Sequence, residues 1–377
     1  MLRKYGHDVK LFVRQSDSIR SKGKRGELIG GVVTPWNFQM TRAIKRAVRC
    51  FCPDVVHVHN TFPLISPGIF HAIGSNFPRV VTLHNYRLFC PAGIPMRDGK
   101  ICIDCLRKRN PLPALYYGCY RDSHIATVPL ALSVVLHRAI GTWTRQVEAF
   151  IALSDFQRGL MSSAGLPLAK VHVKPNFFPE IPEVITWKAR HGYVVFVGRL
   201  SQEKGLVCLL QAWAGWGPSA PELRIVGEGN LRPTLEKMAS GLPVRVLGQM
   251  PGTATQAQIA GANLLVLPSE CFEGFPMVVP EAFAFGTPVA VSNLGPLPSI
   301  VSSGENGLVF EPSTPNSLLE VVRSAWQTPG LLERLGQHAR AEFKKKYTED
   351  VNYSRLIKIY ESAIGGTGGN GSSFSLS

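Results

Sequence analysis

Short apolar runs recur along the second half of the chain. Tyr193–Val197 stops at Gly198, Leu223–Val226 at Gly227, and Asn263–Leu267 at Pro268 and Ser269. Val244–Gly248, Pro288–Val291 and Gly307–Phe310 have the same character. Continuous runs of this length, rich in Val, Ile and Leu, read as buried strands. The first half is similar. Gly6–Val13 reads as a turn and a strand, and Asp54–His59, Pro78–Tyr86, Ala149–Ser154 and Val171–Asn176 as strands. Helical spacing fills the intervals. In Gln39–Cys50, Met40, Ala43, Ile44, Ala47 and Val48 form one face, with Arg42, Lys45, Arg46 and Arg49 opposite. Thr127–Val147 reads as one long helix, and Ser317–Ala363 as two or three. Ser16–Gly31, basic and polar, is expected to be a loop. Strands alternating with helices predict an α/β protein. Phe177–His191, with Pro179 and Pro182, suits a linker. The expected division is a domain over 1–176, a linker over 177–191, a second domain over 192–364 and a disordered Gly/Ser tail over 365–377.

With 377 residues there is enough chain for two cores. Apolar residues make up 45% and charged residues 18%, a globular balance. The longest apolar candidate, Ala126–Leu136, is shorter than the roughly 20 residues that span a bilayer. The first residues lack an export signal, so the cytoplasm is the expected location and the eight cysteines are expected as thiols or ligands. Cys102 and Cys105 form a Cys-x-x-Cys pair, with Cys90 and Cys119 further off. Zinc and plain thiols both remain open for those four. The net charge of +15 is uneven: residues 1–190 hold 27 basic and 11 acidic side chains, residues 191–377 hold 14 and 15. A basic first half attracts an anionic partner, such as a lipid surface or a charged glycan. Nucleic acid is not expected, because no binding module accompanies the charge.

Two loops carry the candidate chemistry. After Asn263–Leu267 the chain reads Glu273-Gly-Phe-Pro-Met-Val-Val-Pro-Glu281, with a helix expected from near Met277 to Gly286. Pro280 fits only in that helix's first turn, where its missing N–H costs nothing. Amides at a helix start attract phosphate or sugar oxygens, and a carboxylate can grip a vicinal diol. The bland reading is that the dipole alone favours Glu281 and that Glu273 is solvated. After Tyr193–Val197 comes Gly198-Arg199-Leu-Ser-Gln-Glu-Lys204-Gly205, two cations at a strand-to-helix turn, suited to a diphosphate. Gly227-Glu-Gly229 begins like a dinucleotide fingerprint, but Arg232 stands at the third glycine, which argues against a nicotinamide enzyme.

The stretch Glu273–Glu281, continued through Ala282–Val289, resembles the signature of family 4, group 1 retaining glycosyltransferases. Gly198–Gly205 resembles that family's "GRLxxxKG", Asp54–His59 its "PDVVHVH", Pro78–His84 its "TLHD" with Asn85 for Asp, and Gly6–Val9 its "GHEV" strand. The resemblance implies a GT-B fold, two Rossmann-like domains facing a cleft, and transfer of a sugar from a nucleotide-diphosphate donor to an acceptor hydroxyl with retention. It implies that Arg199 and Lys204 neutralise the leaving diphosphate and that Glu281 binds the ribose. Glu273, with the amides of Gly274 and Phe275, would hold the donor sugar, and His84 would reach it from the other domain. The sequence offers no metal-binding Asp pair for the diphosphate, so no metal and no cofactor are expected there. Polysaccharide or glycolipid synthesis is the expected setting, with a glycan or lipid-linked acceptor and possible contact with the inner membrane face.

The family has a first strand and a glycine-rich loop before its "GHEV" strand, whereas this chain starts five residues before Gly6. The N-terminal domain is therefore expected to be truncated. Two other readings follow: a non-catalytic nucleotide-sugar binder, or a GT-B epimerase. A phosphorylase of the same fold is disfavoured, since no pyridoxal phosphate lysine motif is evident.

Overall fold

The computed structural model describes residues 1–15 and 23–365. The tail expected beyond Gly365 and the start of the Ser16–Gly31 loop lie outside those residues. The chain forms two compact units: residues 1–95 and 103–174 with the chain from 353, and residues 96–102 with 175–352.

In the first unit, helices α1 (Gly23–Val33) and α2 (Phe38–Phe51) precede strand β1 (Val56–Val58), helix α3 (Ile69–Ile73) and strand β2 (Arg79–Thr82). A small antiparallel hairpin of the second unit follows, β3 (Met96–Arg97) and β4 (Lys100–Ile101). The first unit resumes with α4 (Asp104–Arg107), α5 (Leu112–Tyr117), α6 (His124–Ala139), α7 (Thr142–Arg145), β5 (Ala149–Ala152), α8 (Asp155–Ser163) and β6 (Val171–Val173). Its sheet is parallel in the order β1-β2-β5-β6. The last helix among the described residues, Glu349–Gly365, lays Leu356, Ile359, Tyr360 and Ala363 against Val80, Ala149 and Ile151 of that sheet. The Arg79 guanidinium, nearly fully buried, donates to both Glu148 carboxylate oxygens at 2.7 and 3.0 Å, to the Gln146 side chain and to the Phe70 carbonyl, tying the start of β2 to the start of β5.

Three expectations fail here. Gly6–Val13 forms no strand: no strand among the described residues pairs with it, and Leu11 and Val13 are exposed. Strand propensity is not enough without a ladder partner. The Ser16–Gly31 loop is helical from Gly23 as α1. The long helix over Thr127–Val147 starts earlier, where the Ser123 hydroxyl accepts from the Ala126 N–H, and breaks at Gly141, whose φ of 71° ends α6 and starts α7.

Beyond that hairpin, the second unit runs through β7 (Tyr193–Val197), α9 (Leu206–Trp216), β8 (Glu222–Val226), α10 (Arg232–Ala239), β9 (Val244–Gly248) and α11 (Gly252–Gly261). It continues with β10 (Leu264–Leu267), α12 (Val278–Ala284), β11 (Val289–Ser292), β12 (Gly307–Phe310), α13 (Pro315–Gln327) and α14 (Leu331–Lys346). The six strands of its main sheet are parallel, in the order β12-β11-β10-β7-β8-β9. This is the doubly wound arrangement, and the order reverses between β7 and β10. α9 is apolar almost all round because it is covered twice, by the sheet and by α13. Trp213 is fully buried there and donates its indole N–H to the Pro221 carbonyl at 2.9 Å. Arg190, in the expected linker, is also buried and donates to the carbonyls of Ala262, Phe285 and Gly286, so this stretch is pinned to the end of α12.

At the reversal point two βα loops approach closely. Gly205 has φ 68°, and a Cβ there would lie 1.8 Å from the Pro268 carbonyl oxygen. Gly205→Ala is expected to destabilise the protein by about 3 kcal/mol, from strain and overlap together, read as a fall in the urea midpoint. A midpoint within error of the parent would show that the loops are not held this tightly.

Candidate active site

The β7 and β10 loops bring together Lys204 and Glu273, two of the residues expected from the sequence, with Arg199 on the first loop and Gly274 and Phe275 on the second. The Lys204 ammonium donates to Glu273 Oε1 at 2.7 Å, and the Ser269 hydroxyl donates to the same oxygen at 2.5 Å. Glu273 is buried, and two directional bonds fix its orientation. Arg199 is exposed, with its guanidinium 3.7 Å from Glu203. The Glu270 N–H donates to the Glu203 carbonyl at 2.9 Å, stitching the loops together. Among the described residues, no group accepts from the N–H of Gly274 or Phe275, which leaves two donors just beyond the carboxylate. Phe275 itself is buried, its ring 5.8 Å from that of Tyr347.

Glu281 sits in the first turn of α12, as Pro280 requires. Burial raises its pKa; a hydrogen bond with Gln256 of α11 opposes that shift and nearby Glu180 adds to it. The Gly227-Glu-Gly229 turn has a structural purpose. A Cβ on Gly227 would lie 1.8 Å from the Gly198 oxygen, and one on Gly229 2.2 Å from the Leu200 oxygen. These glycines let the β8 loop lie against the loop that carries Arg199. Arg232, at the third position of the motif, pairs with Glu228 and Glu236.

His84 belongs to the first unit, just beyond β2. Its Nε2 is 2.9 Å from Nδ1 of His59, and the two rings stack at 5.2 Å. His57 is fastened at both nitrogens, by the Tyr360 hydroxyl and the Thr82 hydroxyl, each at 2.7 Å, which makes it a structural residue of β1. Below the histidines lies a cavity of about 80 Å³, with Asn60, Arg87 and Ser133 among an apolar wall that includes Phe70, Leu130 and Trp143. Arg87 shapes its rim, donating to the carbonyls of Pro91 and Ala92 and lying 4.4 Å over the Phe62 ring. Asn85, where the family has Asp, accepts from the Arg87 N–H at 2.9 Å and caps the turn. Sequence reasoning did not find Arg87 or Lys174. Lys174 is buried near the histidines, and burial, with Arg355, lowers its pKa to about 8. Among the described residues no three His, Cys, Asp or Glu side chains form a metal-binding group, so the zinc reading of Cys90, Cys102, Cys105 and Cys119 gains no cluster to rest on.

The histidine pair makes stability pH-dependent. Burial first, then His84 and Lys174, lowers the His59 pKa from 6.5 to about 4. Between those values the unfolded chain holds a proton on His59 that the folded chain does not, so stability is present above pH 6.5 and falls as the pH drops toward 4. His137, also lowered to about 4 by burial, acts in the same window. The urea midpoint is expected to fall across that window, and His59→Gln to reduce the slope without removing it. An unchanged slope would show that His59 is not held neutral by this pairing.

The geometry can be set beside known proteins. Residues 177–342 match the family model "Glycosyl transferases group 1" and residues 1–179 match "Glycosyltransferase Family 4". A glycogen synthase of Mycobacterium tuberculosis is 30% identical over 358 residues, covering 89% of this chain and 77% of that protein. The sulfoquinovosyl transferase of Arabidopsis thaliana is 31% identical over 324 residues, covering 82% and 57%. An uncharacterized glycosyltransferase of Methanocaldococcus jannaschii is 32% identical over 183 residues, covering 45% of each chain. This chain thus spans about half the length of the latter two relatives. Among solved structures, sucrose-phosphate synthase of Thermosynechococcus elongatus superposes with a TM-score of 0.65 at 17% identity, covering 86% of this chain and 77% of that one. The Anabaena protein HepE in complex with UDP gives 0.62 at 17%, covering 86% and 82%. At that identity the likeness establishes the fold, GT-B with two Rossmann-like domains. With both halves matched by the family models and a relative aligned along most of its length, the chain belongs to the family 4, group 1 glycosyltransferases.

Proposed function

We propose that the chain transfers a sugar from a nucleotide-diphosphate donor to an acceptor hydroxyl, with retention at the anomeric carbon. The observation that carries the reading is the Lys204–Glu273 pair at the reversal point of the six-stranded sheet, with Arg199 on the same loop as Lys204. In doubly wound sheets ligands bind at that crevice. A diphosphate entering there meets an exposed guanidinium and an ammonium, while Glu273 keeps its orientation through Ser269. Arg199 and Lys204 stabilise the charge that builds on the leaving diphosphate, an electrostatic contribution that is usually the largest in such steps. Glu273 with the amides of Gly274 and Phe275 holds the donor sugar, and Glu281 holds the ribose.

A uridine nucleotide is the donor to test first, because HepE, which shares the fold, was solved with UDP and with UDP and glucose. The acceptor we assign is a lipid-linked or anionic glycan at a membrane face. The cationic first half supports it, as does the 26% identity over 246 residues with a phosphatidyl-myo-inositol mannosyltransferase of Mycobacterium leprae.

Incubating the protein with labelled nucleotide-sugars and membrane extract tests this. Glu281→Ala is expected to weaken UDP binding about tenfold by calorimetry, through loss of a charged hydrogen bond. Arg199→Ala is expected to lower kcat about a hundredfold while changing nucleotide affinity far less. Unaltered kinetics in both variants would remove the site assignment.

A further inference from the structure

Helix α6 is apolar on two opposite faces. Leu130, Ala131 and Val134 are buried in the first unit, while Ile125, Val128, Leu132 and Val135 are exposed, Ile125 by 86%. The outer four are spaced three, four and three residues apart and so form one stripe along the helix. A helix on the surface of a globular domain normally turns polar residues outward. α5 packs beside α6 and extends the surface with Leu112, Tyr117 and Tyr116, the last 75% exposed. On the other side Gly31 of α1 lies against Pro129 of α6, and α1 adds Ile29 and Val32, the latter 72% exposed. Three neighbouring helices thus present a continuous supply of large apolar side chains.

The rim of this surface is cationic. Arg107, Lys108 and Arg109, where α4 ends, and Arg121, just before α6, are all exposed. Across residues 104–145 the acids are Asp104 and Asp122, against six arginines and lysines. None of the exposed apolar positions is interleaved with an exposed Asp or Glu within α5 or α6. No described helix is long and apolar enough to cross a membrane. An apolar stripe with tyrosines at its edge and cations around it matches the boundary between anionic headgroups and acyl chains. A second copy of the chain fits worse, because pairing the same face would bring two cationic rims together. A bilayer also demands no matching shape for side chains that protrude singly.

We infer that the outer faces of α5 and α6, with the adjoining edge of α1, dock the first unit on an anionic lipid bilayer, inserting Ile125, Leu132 and Tyr116 into the headgroup boundary. This locates the membrane-side acceptor assigned above. Its test uses neither donor nor acceptor, so it can fail while sugar transfer stands.

The test is flotation of the full chain with phosphatidylcholine vesicles, with and without phosphatidylglycerol. Binding is expected only with phosphatidylglycerol and is expected to weaken with added salt, since screening acts on the cationic rim. Ile125→Glu with Leu132→Glu should reduce the bound fraction about tenfold or more. Arg121→Glu should reduce it and flatten its salt dependence. These side chains are exposed, so thermal midpoints should match the parent and exclude misfolding as the cause. Undiminished binding by the double variant overturns the inference, as does binding indifferent to phosphatidylglycerol. A parent that ignores vesicles but forms a dimer abolished by the double variant, read by light scattering, assigns the face to a second copy instead.

Discussion

The parallel pairing of β7 with β10, Leu264 opposite Val194 and Leu265 opposite Val195, is the constraint from which the rest of the second unit follows. These two strands lie some seventy residues apart in the chain, and each ends in a loop that carries charged side chains. Pairing them in register forces the loops side by side at the carboxyl edge of the sheet. The approach is so close that Gly205 must lack a side chain to clear the Pro268 carbonyl. Lys204 can then reach Glu273, and neither residue needs a long or strained path to do so. Strands buried on both faces hold this arrangement against thermal motion, and Trp213 packs the helix that begins one residue after Gly205.

The two units handle charge differently. In the second, cations and acids are paired locally: Lys204 with Glu273, Arg199 with Glu203, and Arg232 with Glu228 and Glu236. Such pairing keeps the loops ordered while leaving Arg199 open to an anion. In the first unit the polar cluster at the strand ends is kept neutral by desolvation. His57, His59 and His84 all have lowered pKa values, with burial as the first cause, and Lys174 reinforces each shift. A neutral His59–His84 pair shares one hydrogen between the bonded nitrogens, so protonating both would break the bond. The excess positive charge of this unit sits elsewhere, on outward-facing helices.

The first unit also shows how packing can override local pattern. Gly6–Val13 has strand propensity but no strand partner among the described residues, whereas the segment from Gly23 is helical despite its glycines, with Gly31 of α1 lying against Pro129. The last helix joins the first unit's core through residues that alone look like any amphipathic surface helix. Neither outcome is encoded in a window of ten residues, since each depends on what lies across the fold.

The apolar runs, their Gly and Pro stops and the two charged loops were enough to read strands, an α/β class and the residues Arg199, Lys204, Glu273 and Glu281 as candidates, because burial on both faces and tight turns leave a local imprint on composition. The tertiary structure alone decided that the β7 and β10 loops are neighbours, that Gly227 and Gly229 serve loop packing, that His59 engages His84, and that the outer face of α6 stays uncovered. Those facts depend on strand order and on contacts between residues far apart along the chain, and no local pattern of side chains carries that information.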